Sequence, residues 1–116
     1  MSYHSNDLQV YVYINEQNVS PFSLWYSAID DFTAERVRLA ISRVMVGNFN
    51  NCKSLGRGLW EIKLVFGAGI RIYFGKRGNK IILLWGGSKH LQASDIARAT
   101  KYWHAYMKTG EYIEWH

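Results

Sequence analysis

Residues 54–90 read SLGRGLWEIKLVFGAGIRIYFGKRGNKIILLWGGSKH, and this stretch decides the fold. From residue 59 to residue 66 apolar and polar side chains alternate, which predicts a strand with one buried face. The alternation resumes after a Gly-Ala-Gly turn at residues 67–69. A hairpin closed at that turn pairs Phe66 with Ile70 and places the apolar side chains of both strands on one face.

The opposite face of this predicted hairpin is basic and aromatic. The same register sets Lys63 opposite Tyr73 and Val65 opposite Arg71. We expect this face to be open to solvent, so that Arg71 is exposed and contributes little to stability. Because a sheet holds its side chains rigidly, this patch is the candidate site.

A third strand, residues 80–85, follows a turn at residues 76–79 and ends at a glycine pair. Lys89 and His90 begin the next segment and add two polar residues to the rim of the site. The orientation of Trp85 depends on the turn, because a shift of one residue moves a side chain to the other face of a sheet. A two-residue loop sends Trp85 to the apolar face, and a three-residue loop sets it on the basic face.

Composition predicts one domain spanning residues 1–116, since a chain of this length buries roughly two thirds of its unfolded surface. Fourteen Lys and Arg residues against nine Asp and Glu give a net charge of +5, which favours an anionic partner such as nucleic acid. The single cysteine, Cys52, excludes internal disulfides and favours a reducing compartment. No apolar run approaches the roughly 20 residues that span a bilayer. We therefore expect a cytoplasmic protein without a membrane partner.

The remaining elements follow from helical and strand periodicity. In chain order we predict a strand at residues 8–14, a helix from Ser20 and Pro21 to about residue 30, a second helix capped by Thr33 and closing at residues 47–48, a loop over residues 47–58, and a last helix carrying Ala93, Ile96, Ala99, Trp103 and Tyr106. The order is β-α-α-β-β-β-α, an α+β fold with a mainly antiparallel sheet packed against helices.

Cations and a phenol on a rigid sheet suit a phosphodiester substrate. A guanidinium binds two phosphate oxygens at once and stabilises the extra charge of a phosphorane. Metal and nucleotide cofactors are not expected, because no glycine-rich phosphate loop is present and the histidines lack metal-ligand spacing: His4, His90, His104 and His116. Cys52 lies in a polar stretch without an activating neighbour and is expected to be inert.

Residues 52–103 resemble the RelE/ParE superfamily of bacterial toxins, and most closely its phage-derived addiction module killer branch. The resemblance rests on GIRIYFG at residues 69–75, on KSLG upstream and on GG-x-K-x-x-Q-x-x-DI downstream. It implies a two-layer, RelE-like fold and a cognate antitoxin of the helix-turn-helix type. RelE-type relatives are ribosome-dependent endoribonucleases, so the resemblance implies an mRNA interferase that inhibits translation without a cofactor.

The resemblance implies three catalytic cations: Lys63, Arg71 and Lys89. Tyr73 and His90 are reserve catalytic candidates, because their side chains can act as an acid or a base. Candidate RNA-binding residues flank them: Lys53, Arg57 and Trp85. Glu61 shares the face of the hairpin that carries Lys63 and is a candidate for orienting a lysine.

The chain departs from the branch at three positions. Ile70 replaces a tyrosine, Ala68 replaces a proline, and Ser88 replaces an acidic residue, which makes the rim of the site more basic. Two other classes stay open on the same scaffold: a ParE-like, non-enzymatic inhibitor of DNA gyrase, and an inactive prophage-derived protein that binds nucleic acid. The pair Lys63 and Arg71 favours the nuclease.

Overall fold

The computed structural model describes residues 7–115, which form one six-stranded sheet with helices packed against it. Its elements in chain order are β1 (Gln9–Tyr13), α1 (Pro21–Ala28), α2 (Asp31–Met45), β2 (Cys52–Gly56), β3 (Leu59–Leu64), β4 (Ile70–Arg77), β5 (Lys80–Ser88), a short 3-10 helix (Lys89–Leu91), α3 (Gln92–Thr109) and β6 (Tyr112–Glu114). The predicted α+β class is confirmed.

The strands lie in the order β2-β3-β4-β5-β1-β6. β1 pairs in parallel with β5, and the other pairings are antiparallel, so the expectation of a mainly antiparallel sheet is confirmed. The two outermost strands, β2 and β6, were not predicted. They contain only five and three residues, and an edge strand this short carries too little alternation to stand out from a loop.

The helix starts follow from side-chain caps. Ser20 Oγ accepts a hydrogen bond of 3.0 Å from the backbone N–H of Ser23, as expected for the cap of α1. At α2 the predicted cap is wrong, because Asp30 rather than Thr33 occupies that position. The Asp30 carboxylate accepts both the backbone N–H of Thr33, at 3.2 Å, and its hydroxyl, at 2.6 Å. A carboxylate has two acceptor oxygens and therefore satisfies both donors.

The hairpin of β3 and β4 has a different register from the one predicted. Leu64 pairs with Ile70 and Lys63 pairs with Arg71, so the connection spans residues 65–69 and Phe66 leaves the sheet. Within this connection Gly67 and Gly69 adopt positive φ angles of 53° and 77°, which glycine reaches without steric cost. The predicted pairing was wrong by two residues, and this leaves every side chain on its predicted face.

Trp85 lies on the same face as Tyr73, its partner across the β4–β5 pairing. The β4–β5 turn is the two-residue loop, because Arg77 pairs with Lys80. The register then shifts between Tyr73 and Phe74, leaving Leu84 as an additional residue in β5. This bulge turns Trp85 to the basic face, so the expected link between loop length and orientation does not hold.

The helices cover both faces of the sheet, and the predicted two-layer arrangement is therefore wrong. α1 and α2 pack on one face and α3 packs on the other, with a separate hydrophobic cluster under each group. Two glycines in the sheet allow α1 and α3 to pack closely against it. The Trp25 ring of α1 lies against Gly86, and the Trp103 ring of α3 lies against Gly75, in the space that a side chain would fill. None of the helices among residues 7–115 is long and apolar enough to cross a lipid bilayer.

Candidate active site

A pocket of about 260 Å³ opens beside the β3–β4 turn, and Lys63, Arg71 and Lys89 all line it. Lys63 and Arg71 are direct partners across the hairpin, so their side chains share one face of the sheet. The backbone N–H of Lys89 donates a hydrogen bond of 2.7 Å to the carbonyl of Gly69, which fastens the 3-10 helix to the turn. The structure thus brings together the three cations that the resemblance assigned to catalysis.

Arg71 is buried, contrary to expectation, with only 5% of its surface exposed. The face on which it lies is covered by α3 instead of facing solvent. Its Nη1 makes a long contact of 3.5 Å with the carbonyl of Ile70, and its Nε has no hydrogen-bond partner in the described part of the chain. Packing therefore holds the guanidinium at the pocket with donor capacity left over for a ligand.

A polar row crosses this face of the sheet. Lys53, Glu61, Tyr73 and Trp85 are successive neighbours on β2, β3, β4 and β5. Lys53 is exposed at the edge, whereas Glu61 and Tyr73 are 3% and 0% exposed. The row passes from solvent into the interior of the protein within two strands.

The buried position of Tyr73 corrects the expectation that its phenol lies on an open patch. Its hydroxyl lies near the Glu61 carboxylate but outside hydrogen-bonding geometry. Burial raises the pKa of Tyr73 strongly, and the negative charges of Glu61 and Asp95 raise it further. Tyr73 is therefore an enclosed phenol that does not line the pocket.

The first turns of α3 are bonded to this polar row. Gln92 Nε2 donates a hydrogen bond of 2.8 Å to Glu61 Oε2, and Trp85 Nε1 donates one of 2.9 Å to Asp95 Oδ1. The Arg98 guanidinium lies over the Trp85 ring, 4.6 Å from its centroid. Both contacts fix the ring of Trp85, which is half-buried, and its role in RNA binding stays a prediction.

Sequence reasoning missed Gln92, Asp95 and Arg98 as residues that shape the site. A signal was present for the first two, because they are the Q and the D of the downstream motif GG-x-K-x-x-Q-x-x-DI. The motif was used only as evidence for the resemblance, and no role was assigned to its Q and D. Arg98 lies on α3 outside that motif, and its contact with Trp85 follows from the way α3 crosses the sheet.

The other candidate residues lie apart from the pocket. His90 is exposed next to Lys89 and does not line the pocket. Arg57 lies in the β2–β3 turn at the opposite end of β3, roughly 20 Å from Lys63 along the strand. Its backbone carbonyl accepts a hydrogen bond of 2.8 Å from Trp103 Nε1, and its side chain is exposed.

The lining of the pocket contains three cationic side chains and no carboxylate. Such a pocket attracts a phosphodiester and stabilises the additional negative charge that a phosphorane develops. Within residues 7–115, no group of three or more His, Cys, Asp or Glu side chains is arranged to hold a metal ion. His4 and His116 lie outside the described residues.

The chain is similar to a bacterial protein. The chain is 35% identical over 80 residues to an uncharacterized protein of Haemophilus influenzae, and the match covers 67% of this chain and 81% of the relative. No family model matches the chain, and no solved structure matches it.

Proposed function

We propose a function for the chain from its own site, because it belongs to one family with a Haemophilus influenzae protein that is itself uncharacterized. In this proposal the chain is the toxin of a type II toxin–antitoxin module. It acts as a metal-independent endoribonuclease that cleaves mRNA on the ribosome and so inhibits translation. The observation that carries the proposal is the pocket lined by Lys63, Arg71 and Lys89. The RelE/ParE resemblance of residues 52–103 supports it independently. The proposed fold is RelE-like, with β2 and β6 added at the edges of the sheet.

The proposed chemistry needs three tasks. The 2′-hydroxyl of the RNA must lose its proton and attack phosphorus, the phosphorane must be stabilised, and the departing 5′-oxygen must gain a proton. The products are a 2′,3′-cyclic phosphate and a 5′-hydroxyl, so the reaction consumes no water. Arg71 suits the second task because packing holds its guanidinium in place. Lys63 and Lys89 are exposed at the pocket and share the remaining tasks.

The proposed partner is a cognate helix-turn-helix antitoxin, and both proteins act in the cytoplasm. A pocket with three cations and no carboxylate favours an acidic antitoxin segment that covers it or displaces α3. The association rate of the two proteins is then sensitive to salt. A structure of the complex with Lys63 and Lys89 exposed and α3 undisturbed would contradict this form of inhibition.

The test is expression of the chain without an antitoxin, followed by pulse labelling of protein and DNA synthesis. The proposal predicts that protein synthesis stops first and that plasmid supercoiling stays normal. Loss of supercoiling while translation continues would identify a gyrase inhibitor instead. Normal growth with both processes intact would identify an inactive protein.

A further inference from the structure

Two more cavities lie beside the active-site pocket, on the face of the sheet that α2 covers. The first, of about 350 Å³, shares the wall formed by residues 63–66 with the pocket and reaches Arg36 and Arg43. The second, of about 240 Å³, shares Ala40, Arg43 and Asn51 with the first and ends at the loop of residues 48–52. Together the two cavities form a groove between α2 and the sheet, called the α2 groove below.

The α2 groove extends the positive charge of the pocket. The groove and the pocket together are lined by five cations and by no acidic side chain: Arg36, Arg43, Lys63, Arg71 and Lys89. Arg36 and Arg43 lie seven residues apart on α2, which places them on the same side of the helix at about 10 Å from each other. A polyanion that occupies the pocket and passes over residues 63–66 to the α2 face therefore meets a further pair of guanidinium groups.

Aromatic rings hold Arg36 at the groove. Its guanidinium lies 4.7 Å from the centroid of the Phe32 ring and 5.5 Å from that of Phe66. Phe32 is 61% exposed, so its ring is open to a ligand. An exposed ring beside a cation is the combination that binds single-stranded nucleic acid, because the ring stacks on a base while the cation contacts the backbone.

We propose that the α2 groove binds the RNA strand on one side of the scissile bond, with Arg36 and Arg43 contacting phosphates and Phe32 stacking on a base. This assignment rests on the proposed endoribonuclease function, which places RNA in the adjoining pocket. The groove borders the pocket at residues 63–66, and this shared border favours RNA over an acidic protein segment. Amide side chains at the far end of the groove, Asn50 and Asn51, are suited to the edges of bases.

The experiment measures equilibrium binding of a fluorescent oligouridylate of about 12 nucleotides. Its 2′-hydroxyls are methylated, so the strand binds without being cleaved. Arg36→Gln and Arg43→Gln are compared with Arg38→Gln, a matched control on the same helix. Arg38 is exposed, does not line the groove, and forms a surface ion pair of 3.7 Å with Glu35. Far-ultraviolet circular dichroism shows whether each variant is folded.

Each groove variant is expected to weaken binding about fivefold at 0.1 M salt and to reduce the slope of log K against log salt by about 0.7, the effect of one lost phosphate contact on a single strand. Arg38→Gln is expected to bind like the parent. Equal losses in all three variants, unchanged binding in the groove variants, or no binding by the parent protein would overturn the assignment.

Two further readouts separate the possible failures. If the groove variants bind poly-glutamate more weakly and RNA normally, the groove serves an acidic protein segment and the assignment falls. Cleavage of ribosome-bound mRNA by the parent protein is measured separately. RNA binding in the groove without cleavage would contradict the proposed nuclease alone, and cleavage with unchanged RNA binding in the variants would contradict the groove alone.

Discussion

Gln92 Nε2 donates a hydrogen bond of 2.8 Å to Glu61 Oε2, and this bond joins the start of α3 to the middle of β3. Glu61 is only 3% exposed, so the amide replaces much of the water that its carboxylate loses on folding. The 3-10 helix that carries Lys89 immediately precedes Gln92. The position of Lys89 at the pocket therefore depends on a contact that lies outside the pocket.

Replacing Gln92 should test this dependence. Gln92→Ala leaves a buried carboxylate without its partner, and we expect the free energy of unfolding to fall by about 1–3 kcal/mol. Urea denaturation measures the change. The cleavage rate should fall as well, because the segment that carries Lys89 loses its attachment to β3. Lys101→Ala, an exposed position on α3, is the control and should stay within about 0.5 kcal/mol of the parent. Equal losses in both variants would contradict the role of the Glu61–Gln92 bond.

The contact of Trp103 with Gly75 gives a second prediction, on the packing of α3. A methyl group at Gly75 would clash with the Trp103 ring, so Gly75→Ala should destabilise the protein by about 1–3 kcal/mol. In the background of Trp103→Ala the space is free, and the same change should cost much less. A double-mutant cycle by urea denaturation measures this coupling. Additive effects of the two changes would show that α3 does not cross the sheet at Gly75.

Cys52 provides a prediction about pH. Burial raises the pKa of its thiol from 9.0 to about 11, so the thiolate fraction at pH 8 is about a hundredfold below that of an ordinary thiol. Iodoacetamide should therefore label the folded protein far more slowly than the urea-unfolded protein. Because the folded-state pKa is the higher one, the stabilisation from this buried thiol is complete below pH 9 and is lost as the pH rises toward 11. Equal labelling rates in the two states would contradict this.

The hairpin shows what sequence periodicity can and cannot predict. Alternation assigned Lys63 and Arg71 to one face, and it did so correctly even though the partners were wrong by two residues. A slip of two residues preserves the faces of a strand, because side chains alternate with a period of two. The pairing of residues depends instead on the length of the turn. The glycines at 67 and 69 permit both a three-residue and a five-residue connection.

Burial of the basic face was not predictable in the same way. A polar face on a strand is usually a solvated face, and only the docking of α3 encloses Arg71 and Tyr73. The space for that helix is made by Gly75 and Gly87, which lie beneath Trp103 and Asp95. A glycine on the polar face of a strand can indicate that a helix packs closely there. In a sequence, however, the same glycine is equally well explained by a turn. The resemblance identified the cations that line the pocket. That α3 covers this face of the sheet could be seen only in the structure.

The burial of Arg71 changes what its substitution should do. Arg71→Ala removes a packed side chain that is only 5% exposed, so we expect a loss of about 2 kcal/mol or more in unfolding free energy. Arg71→Lys keeps the charge and much of the stem, and it should unfold nearer the parent while cleaving RNA more slowly. Thermal melts and single-turnover cleavage measure both effects. A parental melt for Arg71→Ala would contradict its structural role.

Cleavage of ribosome-bound mRNA by lysine variants tests the central claim most directly. Lys63 and Lys89 are exposed, so Lys63→Ala and Lys89→Ala should melt like the parent, and Lys101→Ala serves as the matched control outside the pocket. In single-turnover reactions we predict that each pocket variant cleaves roughly a hundredfold more slowly or worse, the effect of removing one group that stabilises a developing charge, while the control cleaves at the parental rate. Parental rates in both folded pocket variants, or an absence of cleavage by the parent protein, would contradict the account.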